Sequence, residues 1–146
     1  MRRSAIMARI RSSSNKSTEL RLCAMLSALG VRGWRRQVNV LGVRADIAFP
    51  RDRVAVFVDG CFWHWCVPHC GFARLSSYWQ RKIMRNFIRD VKQNALLMVN
   101  KWTVVRIWEH DLRTLELRRW AVGQVKIALD SGKKWGYAWE GKGRTT

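Results

Sequence analysis

Acidic side chains are scarce in this chain. Ten Asp and Glu stand against 28 Lys and Arg, a formal charge of +18 over 146 residues. The basic excess covers nearly the whole sequence and is not one terminal block. Such a field attracts polyanions, nucleic acid first and an anionic membrane surface second. Long apolar runs are missing too. No uninterrupted stretch of about 18 apolar residues occurs, so no membrane-spanning helix is expected. Ala5, Ile6 and Met7 follow a basic start but give way at once to Arg9 and Arg11, too short a run for a secretory signal. The expected location is the cytoplasm, on the nucleoid. In that reducing compartment cysteines bind metal or do chemistry more often than they form disulfides. Internal repeats are absent as well.

With 48% hydrophobic residues the chain can bury one real core. The expected organisation is a basic N-terminal arm over 1–16, a folded domain over 17–130 and a flexible basic tail over 131–146. Leu20, Leu22, Met25, Leu26 and Leu29 recur at helical spacing after Ser17-Thr18, and Gly30 stops that helix. Strands are expected over Arg35 to Val40 and Ala45 to Phe49. The apolar run Val54 to Val58 reads as a buried central strand. A Gly-, Cys- and His-rich loop follows. Then come a long basic helix over Tyr78 to Asn100, a strand over Trp102 to Trp108 and a helix over Leu115 to Leu129. This order gives the α/β class, a central mixed sheet flanked by helices.

With so few carboxylates, their positions inform. Asp46 lies inside a short apolar strand and Asp59 ends the central one, where a carboxylate must be paired, hydrogen-bonded or metal-bound unless the strand end is open to water. Glu19 fits either a capping-box residue or an outer ligand near Asp46. Such oxygen donors suit Mg²⁺, which would stabilise the charge that develops in phosphodiester cleavage and activate a water.

Three of the four cysteines and two of the three histidines fall within Cys61–Cys70. Cys61, Cys66 and Cys70 can supply three thiolates to a structural zinc, with His110 as the fourth ligand and His69 as its competitor. Cys23 fits the apolar face of the first helix. His64 is read as a proton carrier, against a further zinc-site residue or a ring stacked on tryptophan. Asp90 either orients it or pairs with Arg85, Arg89 or Lys92. Some of the nine tryptophans fill core, as expected for Trp102 and Trp108, and others can stack on bases.

Several strings together resemble a known family. They are Val56-Phe57-Val58-Asp59-Gly60-Cys61-Phe62-Trp63-His64, Tyr78-Trp79 with Lys82 and Asn86, Trp108-Glu109-His110, Thr18-Glu19-Leu20 and the basic lead-in from Arg3. The likeness, over roughly residues 3 to 112, is to the very short patch repair (T:G mismatch) endonucleases. It implies a restriction-endonuclease-like fold with a structural zinc. It also implies Mg²⁺-dependent nicking of duplex DNA beside a T:G mispair left by deamination of 5-methylcytosine. Asp46 would be the principal metal ligand, helped by the Val58 carbonyl, with Glu19 close by. His64 and Asp90 would serve the hydrolysis, and Phe62, Trp63 and Trp79 would wedge into the base stack, where a mispair is cheapest to open. Asp59 is a further candidate catalytic residue beside Asp46, Glu19, His64 and Asp90, but it departs from the pattern, since the best-known member carries histidine there. Cys66 and His110 exchange the usual histidine and cysteine. The family further suggests a monomer, with a mismatch-repair protein as a candidate partner. Two other readings fit the residues: a nicking nuclease of a restriction system, and a zinc-stapled DNA-binding module without catalysis.

Overall fold

The computed structural model describes residues 3–131 and the short strand at 137–138, with side chains described over 16–131. The first helix, α1, spans Arg3–Ala28. It begins well before the expected start at Ser17 and takes in most of the expected arm. No Pro or Gly interrupts this stretch, and its Ala, Arg, Met and Leu residues favour helix. Glu19 is therefore a mid-helix residue and not part of an N-terminal capping box.

A β-hairpin follows, β1 over Arg35–Val40 and β2 over Val43–Phe49. Its two-residue turn places both Leu41 (φ 53°) and Gly42 (φ 82°) in the left-handed region. That is the turn conformation whose twist matches the flanking strands. Asn39 Oδ1 accepts the Gly42 N–H at 2.8 Å. Strand β3, Val54–Asp59, is buried at every position. A one-turn helix α2, Val67–Cys70, and the long helix α3, Ser77–Val99, lead to β4, Thr103–Trp108. Helix α4, Leu115–Asp130, is capped by Thr114, whose Oγ1 accepts the Leu117 N–H at 3.2 Å.

The strand order is β1-β2-β3-β4-β5, antiparallel up to β3 and parallel from β3 to β4 to β5. Strand β5, Tyr137–Ala138, falls inside the expected tail; residues 132–136 and 139–146 lie outside the described residues. The mixed α/β sheet is as the element order implied.

Alternation along the central strands sorts side chains to two faces. Val54, Val56 and Val58 join Ile47, Phe49, Val105 and Ile107 under α1 and α4. Ala55, Phe57 and Val104 meet Leu97 of α3 on the other face. Asp59, two residues after Phe57, thus emerges on the α3 side. There the buried face of α3 runs Ile83, Asp90, Asn94 and Leu97, apolar at its ends and polar in the middle. Among the described residues no helix is long and apolar enough to cross a membrane.

Phe49 is fully buried between the sheet and α1. Truncation to alanine should remove about 3–5 kcal/mol of stability. Urea unfolding monitored by circular dichroism checks this; a loss under about 1 kcal/mol would mean the site collapses around the cavity.

Candidate active site and metal centre

The end of β3 organises the site. The β2–β3 ladder runs from Phe49↔Val54 to Ile47↔Val56 and stops. The Val58 N–H, beyond the last rung, is taken by Asp46 Oδ2 at 2.8 Å. A side chain thus supplies the acceptor that a neighbouring strand would otherwise provide. The β1–β2 ladder has a gap at the same place. Arg36 pairs with Ile47 and Val38 with Ala45, while Gln37 stands between them with φ of 52°. The Gln37 amide donates to Glu19 Oε2 at 2.8 Å and reaches Asp46 Oδ1 at 3.5 Å. Arg36 Nε donates to Glu19 Oε1 at 2.8 Å. Glu19 is buried, so α1 and the hairpin lock together through it. Burial raises the Asp46 pKa, the Val58 N–H works against that, and the charges of Glu19 and Asp59 raise it further. A hard divalent cation would relieve this crowding of negative charge, and the Asp46 carboxylate is a fitting donor for it.

The neighbouring cluster is built from β3, the loop after it, α3 and β4. His64 Nδ1 lies 2.5 Å from Asp90 Oδ2 and 3.6 Å from Asp59 Oδ1. Asn86 of α3 holds the loop by donating to the Trp63 carbonyl at 3.1 Å. Burial lowers the His64 proton affinity, but the bond to Asp90 and the charges of Asp59 and Asp90 outweigh it, so the pKa is raised. For Asp90, burial acts upward, yet His64, Arg106 and Arg89 hold the carboxyl below its usual range. With its proton on Nδ1 toward Asp90, the imidazole carries its lone pair on Nε2, ready to accept a proton. An apolar groove of about 600 Å³ opens beside this pair, lined by Phe87, Val91, Ala95, Met98 and Trp108.

Sequence reasoning missed two members of this site. Gln37 is one. The other is Arg106, whose Nη1 donates to both oxygens of Asp59 at 2.8 Å and whose Nε donates to Asn94 Oδ1 at 3.1 Å. Its position in the strand Val104-Val105-Arg106-Ile107 was the available signal, because alternation turns it toward α3.

The cysteine-rich loop gathers a separate centre. One ligand atom each from Cys61, Cys66, His69 and His110 lies within 4.8 Å of the others. Cys61 Sγ is 3.1 Å from His110 Nδ1, and Cys66 Sγ is 3.2 Å from His69 Nδ1. A tetrahedral zinc sets its S and N donors roughly 3.3–3.8 Å apart, so this donor set fits that ion. Burial and the neighbouring Cys66 push the Cys61 thiol up to about 12, a cost that binding a cation reverses. Burial lowers the His110 pKa, which favours the neutral, ligating ring. Asp111 Oδ1 lies 3.4 Å from His110 Nε2, where it can orient the ring. Cys70 is not in this cluster. It is buried with its Sγ 3.6 Å from the Phe62 carbonyl, and His69 takes the place expected for it. Cys23 is in the core, as expected.

The three candidate wedge residues come together. Phe62 and Trp63 centroids are 4.9 Å apart, and Trp79 is 5.7 Å from each. Lys82 Nζ sits 5.2 Å over Trp79 and 5.5 Å over Trp63.

The family model for DNA mismatch endonuclease Vsr matches residues 1–70. The type II nicking enzyme V.HpaIIP of Haemophilus parainfluenzae is 37% identical over 106 residues, covering 69% of this chain and 74% of that one. The chain belongs to the Vsr family. The DNA mismatch endonuclease Vsr of Escherichia coli strain K12 is 32% identical to this Vsr-family chain over 102 residues, 67% of this chain and 64% of that one. The type II nicking enzyme V.NaeI of Lentzea aerocolonigenes is 40% identical over 96 residues, 60% of this chain; the match spans 58% of V.NaeI's own length.

The geometry separates the four ligand positions from Cys70. Metal analysis of purified protein should find zinc retained in Cys70→Ser and lost in Cys66→Ser and His69→Ala. Retention in His69→Ala with loss in Cys70→Ser would restore the three-thiolate set.

Proposed function

We propose that this Vsr-family protein is a Mg²⁺-dependent endonuclease that nicks duplex DNA 5′ of the T in a T:G mispair, with a zinc-stapled restriction-endonuclease-like fold. One observation carries the reading. The end of β3 joins a half-buried carboxylate suited to a divalent cation, Asp46, to an imidazole whose Nδ1 is already committed to a carboxylate, His64. A binding module for a polyanion gains nothing from buried carboxylates, and Glu19, Asp59 and Asp90 are all buried.

Asp46 and the Val58 carbonyl would hold the Mg²⁺, which would neutralise charge on the scissile phosphate when bound. His64 Nε2 accepts a proton from the attacking water as its oxygen bonds to phosphorus. The P–O3′ bond breaks and O3′ takes a proton from solvent, leaving a 5′-phosphate and a 3′-hydroxyl. Asp90 keeps the ring oriented throughout. Phe62, Trp63 and Trp79 form the surface that opens the mispaired step, where unstacking is cheapest. In this reading the enzyme works as a monomer on nucleoid DNA in the cytoplasm, with a mismatch-repair protein as a candidate partner.

A labelled duplex with one T:G mispair, beside its T:A twin, tests the proposal in Mg²⁺. Selective nicking of the mispaired duplex is expected. Asp46→Ala should abolish it while binding in a gel-shift assay persists; a nicking Asp46→Ala protein would remove the metal role assigned to that carboxylate.

The names of V.NaeI and V.HpaIIP as type II nicking enzymes favour a second reading, in which the chain nicks matched DNA in a restriction setting. Alanine at Phe62, Trp63 and Trp79 together separates the two. Collapse of T:G preference supports the mismatch reading, and an unchanged T:G to T:A ratio supports the other.

A further inference from the structure

His64 Nδ1 faces two buried carboxylates, Asp90 at 2.5 Å and Asp59 at 3.6 Å. An imidazole with one N–H there has two competing acceptors on different elements, and its ring orientation depends on which one wins. Arg106 decides the contest. Its Nη1 holds both oxygens of Asp59 at 2.8 Å, and side-chain exposure is only 6% for Arg106 and 5% for Asp59. The Phe57 ring backs the guanidinium at 4.7 Å, and Asn94 accepts its Nε–H. The same Nη1 is 3.5 Å from Asp90 Oδ2, the oxygen that His64 uses. Each member of the pair would disturb the His64–Asp90 bond if the other were gone. A released Asp59 would compete for the imidazole, and a released Arg106 would turn to Asp90.

We propose that Arg106 and Asp59 are a mutually restraining pair of positioning residues that preserve the His64–Asp90 hydrogen bond, with Asp59 neither a metal ligand nor a proton carrier. The proposal rests on the hydrolytic role of His64 given above. It replaces the catalytic role that the sequence suggested for Asp59. Charge supports it. Asp59 and Arg106 cancel each other in a buried place, where an unpaired charge is costly, so one cannot be lost without consequence for the other.

The test uses Arg106→Gln, Asp59→Asn and the double variant, each in zinc-loaded full-length protein at a temperature where it is folded. Two readouts are taken. One is steady-state nicking of the T:G duplex. The other is the ¹⁵N spectrum of the His64 ring without DNA, assigned by its loss in His64→Ala; the chain has three histidines, so the spectrum is simple. Each single variant should lower kcat roughly tenfold to a hundredfold at nearly constant KM. Each should also move the His64 Nδ1 signal, because the Nδ1–H exchanges or loses its Asp90 acceptor. The double variant, with both charges gone, should recover much of kcat and the original ring signal. The concentration of Mg²⁺ at half-maximal rate should stay put in Asp59→Asn.

An unaltered ring signal and kcat in both folded singles would overturn the proposal, as would a double variant no better than the worse single. A raised Mg²⁺ requirement in Asp59→Asn would make Asp59 a metal ligand instead. If Arg106→Gln does not fold, Arg106→Lys keeps the charge but loses the planar fork, and the same ring shift is expected of it. Should the wild type not nick, the hydrolytic reading fails, yet the ring spectra still decide whether the pair holds His64 on Asp90.

Discussion

Everything at the site hangs on one hydrogen bond, the Val58 N–H to Asp46 Oδ2 at 2.8 Å. Two antiparallel strands part beyond Ile47↔Val56, and a backbone donor in a fully buried strand cannot be left unpaired there. The Asp46 carboxylate meets that need and is fixed by it. From the same strand end the chain delivers Asp59 and then, across Gly60, Cys61. The carboxylate site, the His64 cluster and the thiol–imidazole centre are therefore three consequences of one strand terminus, built with no loop longer than a few residues between them.

Burial explains how polar groups can crowd so closely. Among the described residues the buried polar side chains are Thr18, Glu19, Asp59, Asp90 and Asn94, and the last four all serve the two clusters. Each has its partner on another element: Glu19 with Arg36 and Gln37 of β1, Asp59 and Asn94 with Arg106 of β4, Asp90 with His64 of the loop. No buried side-chain nitrogen or oxygen among the described residues lacks a hydrogen-bond partner. Satisfied networks of this kind rigidify a site, because each contact is strong only while its partners stay in place.

Much of this was legible in the residues. The all-apolar run before Asp59 marked the central strand, and a carboxylate amid Ile47 and Phe49 marked Asp46. The density of Cys and His in one loop marked the cluster that could hold a metal. Other features were hidden for physical reasons. Cys66, His69 and Cys70 sit on one helical turn, where spacing alone cannot tell which of the i+3 and i+4 side chains faces the cluster. The helix α1 starts earlier than the expected arm allows because the polar run of the arm, Ser12 to Asn15, contains no Pro or Gly to stop it. Gln37 gave no signal in advance, because its role comes from a positive φ that only the paired strands reveal. Asp90 and Arg106 were each readable as surface charge. The periodicity of α3 and the alternation of β4 turn both inward, and the two calculations have to be made together before either residue stands out.

Cys61 and Cys66 bracket the segment that carries Phe62, Trp63 and His64, so the thiol centre clamps both ends of a loop that holds the aromatic surface and the imidazole at once. The length of that loop is pinned by Cys61 and Cys66 at its two ends and by the His64–Asp90 contact between them. Variation in substrate preference within such a chain has little room inside the loop, since an inserted residue would move the imidazole along with the aromatics. The turn of α3 that bears Tyr78, Trp79 and Lys82 meets that loop through ring contacts alone, with none of its residues in the thiol–imidazole cluster or the His64–Asp90 pair. In the proposed reading, divergence of specificity can accumulate there while the candidate hydrolytic centre stays unchanged.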